Sequence, residues 1–230
     1  MSRLVTVAHG TRVVAGNRIA ASLTAQAAEL LGVEATTSYV ELCEPLVADV
    51  LASSVAPTVV VPLLLSTGFH VKVDIPAAVR GSRGPAALTR PLGPDPVLAA
   101  VQRARLVEAG AKPGQPVVLV AAGSNDPDAV PDLVAAARYL ARVWGGPVLT
   151  ATVSGAGRSI ESAVAEASLY GDVAVSTYLL SPGFFSRKVA TLATEAGAAV
   201  VADVLGADAA IAGLIADRYR EALAALSIAA

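Results

Sequence analysis

Hydrophobic positions along the chain follow two alternating periods. Short runs rich in Val, Leu and Thr, at 4–8, 36–40 and 58–65, are strand-length, and the first and third are almost continuously apolar, as strands buried on both faces are. Between them lie Ala-, Leu-, Glu- and Arg-rich segments of helical spacing. In 15–31, Ile19, Leu23, Ala27 and Leu30 recur along one face and Gly32 supplies the stop. Pro45 predicts a helix start for a segment running to about Ser54. A helix is expected over 73–79, with Asp74 as a cap ahead of Ile75 and Pro76. A short strand at 87–89 and a helix over 95–109 complete the first half. Strands alternating with helices predict an α/β fold with a doubly wound parallel sheet.

The pattern then starts again. Gly110, Pro113, Gly114 and Pro116 break both helix and strand, so 110–116 reads as a linker. Val7-Ala8-His9-Gly10 matches Val120-Ala121-Ala122-Gly123, and Leu92-Gly93-Pro94-Asp95 matches Leu205-Gly206-Ala207-Asp208, both at a spacing of 113. Leu65-Ser66-Thr67-Gly68-Phe69-His70 matches Leu180-Ser181-Pro182-Gly183-Phe184-Phe185 at a spacing of 115. The anchors keep their order, and Ser-x-Gly-Phe contains Phe, an uncommon residue in this composition. Two similar doubly wound parallel-sheet domains related by internal duplication are expected, at 1–112 and 113–230.

Composition narrows the functional classes. A chain of 230 residues, 54% hydrophobic and 16% charged, forms a core without covalent staples. The single Cys43 excludes an intramolecular disulfide, a zinc knuckle and an iron–sulfur cluster. Mean hydropathy is high, +0.61, but Ala and Val supply much of it and no apolar run approaches the roughly 20 residues of a membrane span. A net charge of −2 and 4% aromatic residues offer neither general attraction nor stacking platforms for nucleic acid. His9 arrives too early for the apolar region of a signal peptide. A cytoplasmic protein with no nucleic-acid or membrane partner is expected.

Candidate chemistry concentrates in the first half, which holds both histidines of the chain. His9 ends the first predicted strand and His70 follows the third; their counterparts are Ala122 and Phe185. Carboxyl ends of parallel strands share one edge, where ligands bind, so the two imidazoles can share a site. Glu41 closes the second strand at that edge. Two imidazoles and a carboxylate suit a divalent transition ion with open coordination positions, and neutral imidazole also accepts protons near neutral pH. The bland alternative makes each His an incidental loop or cap residue. Glu44 competes with Glu41, although its place before Pro45 suits a helix-start residue. Cys43 reads as a small buried hydrophobe. No phosphate-cradling Gly-x-x-x-x-Gly-Lys-Ser/Thr loop occurs, Gly155-Ala156-Gly157 is followed by Ile160 where a dinucleotide fingerprint needs Gly, and no Gly-x-Ser-x-Gly elbow is present.

Three blocks carry a family resemblance: Val7-Ala8-His9-Gly10-Thr11-Arg12, Val40-Glu41-Leu42-Cys43-Glu44-Pro45, and Val61-Pro62-Leu63-Leu64-Leu65-Ser66-Thr67-Gly68-Phe69-His70-Val71-Lys72-Val73-Asp74-Ile75-Pro76. Together they resemble the sirohydrochlorin chelatases of the CbiX and SirB type, class II chelatases that need no ATP. The resemblance is strong in the first half and weaker in the second, as in the long two-domain form. It implies that a divalent ion, Co2+ or Fe2+ with Ni2+ also accommodated, enters sirohydrochlorin as a substrate, with no nucleotide cofactor. It makes His9 and His70 the metal-binding and catalytic histidines and Glu41 an acidic metal ligand. Arg12 and Lys72, with Arg18, Arg187 and Lys188, are the cations available to the tetrapyrrole carboxylates, and Phe69 or Leu63 to Leu65 are candidates for the macrocycle face. The resemblance further implies one active site per chain, a degenerate second half forming the other wall of the cleft, and a monomer with a pseudo-dimeric fold. A non-enzymatic metal or tetrapyrrole carrier is the alternative reading of the same residues.

Overall fold

The computed structural model describes residues 2–228, with side chains through 224. In chain order, the first half contains β1 (Arg3–Ala8), α1 (Val14–Leu31), β2 (Ala35–Tyr39), α2 (Val47–Ala52), β3 (Thr58–Pro62), a π-helical turn (His70–Asp74), α3 (Ile75–Arg80), β4 (Ala86–Leu88) and α4 (Pro96–Glu108). The second half contains β5 (Val117–Ala121), α5 (Ala129–Trp144), β6 (Val148–Thr152), α6 (Ile160–Ala167), β7 (Ala174–Tyr178), α7 (Phe184–Glu195), β8 (Val200–Val201) and α8 (Ala209–Ile228).

Two parallel four-stranded sheets result, ordered β2-β1-β3-β4 and β6-β5-β7-β8. The doubly wound, duplicated α/β architecture expected from the pattern is therefore present. In the first sheet the chain leaves β1 for β2 on one side and returns to β3 on the other. In open α/β sheets such a reversal of strand order, here beside β1, marks the carboxyl edge where ligands bind. One face of this sheet packs Val5, Val7 and Val60 against Val47, Val50, Leu51 and Ile75. Removing a buried aliphatic of this kind costs about 2–5 kcal/mol. The other face is covered by α1, against which α8 packs, and there the Thr6 and Thr24 hydroxyls satisfy each other at 2.6 Å.

The chain divides into two compact units, but not at 112/113. One unit comprises the chain up to Leu92 together with the chain from Ala207; the other is Gly93–Gly206. The expected boundary marks the end of the sequence repeat, whereas the units exchange their last helices. Helix α8 is anchored in the first unit: the buried Arg218 donates from Nη2 to the Leu92 carbonyl at 3.4 Å, and the Tyr219 hydroxyl donates to the Ser2 carbonyl at 2.9 Å. Helix α4 is anchored in the second, with Arg105 Nε donating to the Leu205 carbonyl at 3.1 Å and Gln102 Nε2 to Ser176 Oγ at 2.9 Å. Arg105 and Arg218 are repeat equivalents, as are Leu92 and Leu205, so the exchange is reciprocal. Helical periodicity shows that these segments are helices, but only side-chain contacts decide which sheet each one covers.

Local boundaries also differ. Pro45 stands before α2 rather than in its first turn, because Tyr39 first pairs with Leu46 in an isolated parallel bridge. Strand β3 stops at Pro62, leaving Leu63 to Leu65 as a connection. The expected helix over 73–79 begins instead with the π-helical turn at His70. Among the described residues, no helix is long and apolar enough to cross a membrane.

Candidate metal centre

The edge beside β1 is built largely by the backbone. Past the end of the strands, Val40 N–H donates to the Ala8 carbonyl at 2.9 Å and Glu41 N–H to the His9 carbonyl at 3.1 Å, continuing the parallel ladder and seating Glu41 beside His9. His9 Nε2 lies 3.5 Å from Glu41 Oε1. The loop after His9 is clamped by Asn17 of α1, whose Oδ1 accepts from Thr11 N–H at 3.1 Å and whose Nδ2 donates to the Thr11 carbonyl at 2.8 Å. Behind Glu41, burial raises the pKa of the Tyr39 phenol, assisted by the neighbouring Cys43, so this ring adds no charge to the centre.

His70 arrives from the adjacent β3. It opens the π-helical turn, whose Ile75 N–H donates back to the His70 carbonyl. Within that turn, His70 Nδ1 and Asp74 Oδ2 are 2.6 Å apart. Asp74 was expected to cap α3, yet its side chain makes no cap bond; its carboxylate is turned to the imidazole instead. The rings of His9 and His70 meet edge to face, centroids 4.8 Å apart and planes at 85°.

Among the described residues, His9, Glu41 and His70 form the group whose donor atoms could hold a metal ion, one atom from each lying within 4.8 Å of the others. Donors bound at about 2.1 Å to one ion stand no more than about 4.2 Å apart, so small side-chain rotations close the set. Side-chain exposures of 47% for His9, 51% for Glu41 and 28% for His70 leave the ion's remaining positions open. The donor types match an ion of intermediate softness with open coordination positions rather than a closed structural site.

Other expected residues have varied placements. Arg12 lies exposed in the loop that carries His9, and Lys72 exposed in the π-helical turn. Arg18 is exposed on α1, while Arg187 and Lys188 are exposed near the start of α7. Glu44 sits in the loop before α2 and outside the donor group, and Cys43 is partly exposed rather than buried. Leu63 is buried core, whereas Phe69 is 63% exposed next to His70. Sequence reasoning missed Asn17 as a loop clamp and Asp74 as the partner of His70. The i,i+4 spacing of His70 and Asp74 was the available signal.

The second unit repeats the scaffold without the chemistry. Val153 N–H donates to the Ala121 carbonyl and Ser154 N–H to the Ala122 carbonyl, as Val40 and Glu41 do in the first. Ala122, Ser154 and Phe185 therefore occupy the places of His9, Glu41 and His70, and none offers an imidazole or a carboxylate.

The sequence model of the CbiX family matches residues 3–109 and again 116–222, so the family unit itself occurs twice. No curated protein matches the chain by sequence. Among solved structures, SirB from Bacillus subtilis with Fe3+ is similar at 25% identity and a TM-score of 0.79, over 96% of this chain and 95% of that one. The sirohydrochlorin chelatase SirB from Bacillus subtilis subspecies spizizenii in complex with cobalt aligns at 23% identity with a TM-score of 0.77, covering 96% and 94%. CbiX, described as the terminal enzyme for biosynthesis of siroheme in denitrifying bacteria, shares the fold at 18% identity with a TM-score of 0.71, covering 96% and 99%. With both halves matched and the paired histidines and the glutamate converging on one sheet edge, the chain belongs to the CbiX family.

Proposed function

We propose that this protein inserts a divalent metal ion, Co2+ or Fe2+, into sirohydrochlorin without a nucleotide, as a sirohydrochlorin chelatase of siroheme or cobalamin biosynthesis. The observation that carries the reading is the convergence of His9, Glu41 and His70, from the loops that follow three neighbouring strands, on one edge of the first sheet. The similar SirB structures, one with Fe3+ and one with cobalt, support the choice of ions.

Insertion breaks two pyrrole N–H bonds; their electron pairs stay on nitrogen and become metal–nitrogen bonds. The site must therefore give up an ion and take up two protons. His70, braced by Asp74, retains the ion longest. His9 is the more exposed ring, and its Nδ1 lies 3.2 Å from the Gly10 carbonyl. As the ion leaves, His9 Nε2 accepts one proton, and Glu41, 3.5 Å away, stabilises the imidazolium. The second proton passes to the Glu41 carboxylate and on to water. Phe69 offers an apolar surface to the macrocycle, Arg12 and Lys72 supply charge for its carboxylates, and the protein acts as a monomer.

Purified protein mixed anaerobically with sirohydrochlorin and either ion, without ATP, is expected to produce the absorbance change of metal insertion well above the spontaneous rate. No acceleration with either ion refutes the chelatase reading, and stoichiometric binding without turnover assigns a carrier instead.

A further inference from the structure

We propose that Asp74 is a positioning residue that fixes His70 as the principal metal ligand, and that a one-residue insertion forming the π-helical turn places it there. The inference rests on the metal-site reading above and goes beyond it, because Asp74 lies outside the donor group.

The two repeats supply the comparison. In the second unit α7 runs as a regular α-helix from Phe184, and its first buried residue is Val189, part of the core below the sheet. In the first unit no residue of the π-helical turn is buried, and the first core residue is Ile75. Three residues separate Phe185 from Val189, whereas four separate His70 from Ile75. The first repeat therefore carries one extra residue between its strand-end position and the core anchor. A helix absorbs one extra residue as a π-turn, with an i→i+5 bond, a feature found mostly at functional sites; the Ile75 N–H to His70 carbonyl bond is that closure. The register shift keeps Ile75 in the core and turns Asp74 outward onto His70, at 2.6 Å.

The chemical consequence concerns the tautomer. A carboxylate at Nδ1 accepts the Nδ1–H, which leaves the Nε2 lone pair for the ion and fixes the ring's direction. His9 Nδ1 instead faces the Gly10 carbonyl at 3.2 Å, so the two histidines are unequal although their rings meet edge to face. Loss of such a partner typically weakens metal affinity about 10–100-fold.

The test is Co2+ binding to the full chain without tetrapyrrole, read by visible absorption, for Asp74→Ala and Asp74→Asn, with the His70 tautomer read by long-range 1H–15N correlation in the metal-free protein. Asp74→Ala is expected to weaken Co2+ binding about 10–100-fold, alter the cobalt spectrum and mix the His70 tautomers. Asp74→Asn, which keeps an acceptor oxygen and serves as the folded comparison, should recover part of the affinity and most of the tautomer. In turnover, KM for Co2+ should rise while KM for the tetrapyrrole stays unchanged. Wild-type affinity and an unchanged tautomer in the folded variants would overturn the proposal. Because metal binding is read directly, a chain that binds Co2+ through His70 yet inserts no metal sinks the chelatase reading and leaves the role of Asp74 standing.

Discussion

Gly10 holds its backbone at φ +97° directly against the carbonyl oxygen of Glu41, and a Cβ at this position would overlap that oxygen. The contact brings the loop after β1 and the loop after β2 close enough for an imidazole and a carboxylate to share an ion. Gly123 stands at φ +94° against the carbonyl of Ser154 in the same way. The close approach thus belongs to the repeated scaffold, and among the described residues the two imidazoles and the carboxylate stand in only one copy.

Comparing Gly10→Ala with Gly123→Ala separates those two contributions. Both changes force a side chain into a left-handed backbone and against a carbonyl, at a cost of about 1–3 kcal/mol or more, and both should lower the thermal midpoint by circular dichroism. Gly10→Ala should also weaken Co2+ binding at least tenfold by moving Glu41 away from His9. Gly123→Ala should leave Co2+ affinity within about twofold of wild type. Equal losses of affinity in the two variants would place the ion elsewhere.

Replacing His9 or His70 by Ala should reduce insertion by about 10²–10⁴-fold without lowering the melting temperature, since neither side chain is buried. The effects should differ in kind. His70→Ala should remove most Co2+ binding, whereas His9→Ala should retain weak binding and lose turnover. Glu41→Gln should weaken Co2+ binding while preserving the fold. Activity retained in both histidine variants would exclude the assignment.

The alternation of apolar strands with helical segments, the repeat, and the meeting of His9, Glu41 and His70 at one sheet edge were all legible in the sequence, because each depends on local periodicity and on the shared edge of a parallel sheet. The exchange of α4 and α8 was not, since it rests on Arg105 and Arg218 reaching carbonyls 100 and 126 residues away. Asp74 read as a helix cap because Ile75-Pro76 follows it; one extra residue before the core anchor Ile75 rotates it to His70, a shift that an α-helical period does not reveal. Phe69 and Leu63 looked equally apolar, and only burial separates the core residue from the exposed one.

That distinction makes Phe69 the better candidate for the macrocycle face. Phe69→Ala should raise KM for the tetrapyrrole several-fold through lost apolar contact, on the order of 1 kcal/mol, with Co2+ affinity and thermal stability unchanged because the ring is exposed. Steady-state kinetics varying each substrate separately will show this. An unchanged tetrapyrrole KM would remove Phe69 from the binding surface.

The degenerate unit allows the centre to be rebuilt where the scaffold already exists. Ala122→His, Ser154→Glu and Phe185→His together should raise Co2+ stoichiometry from one toward two per chain, measured by equilibrium dialysis. The second ion should bind at least about tenfold more weakly than the first, because α7 has no π-helical turn and Val189 is the buried anchor where an orienting carboxylate would be needed. A rebuilt site as tight as the original would mean that three donors on paired strand ends suffice. A second site that stays weak until an orienting carboxylate is also introduced would make the extra residue the feature that separates the working repeat from its silent copy.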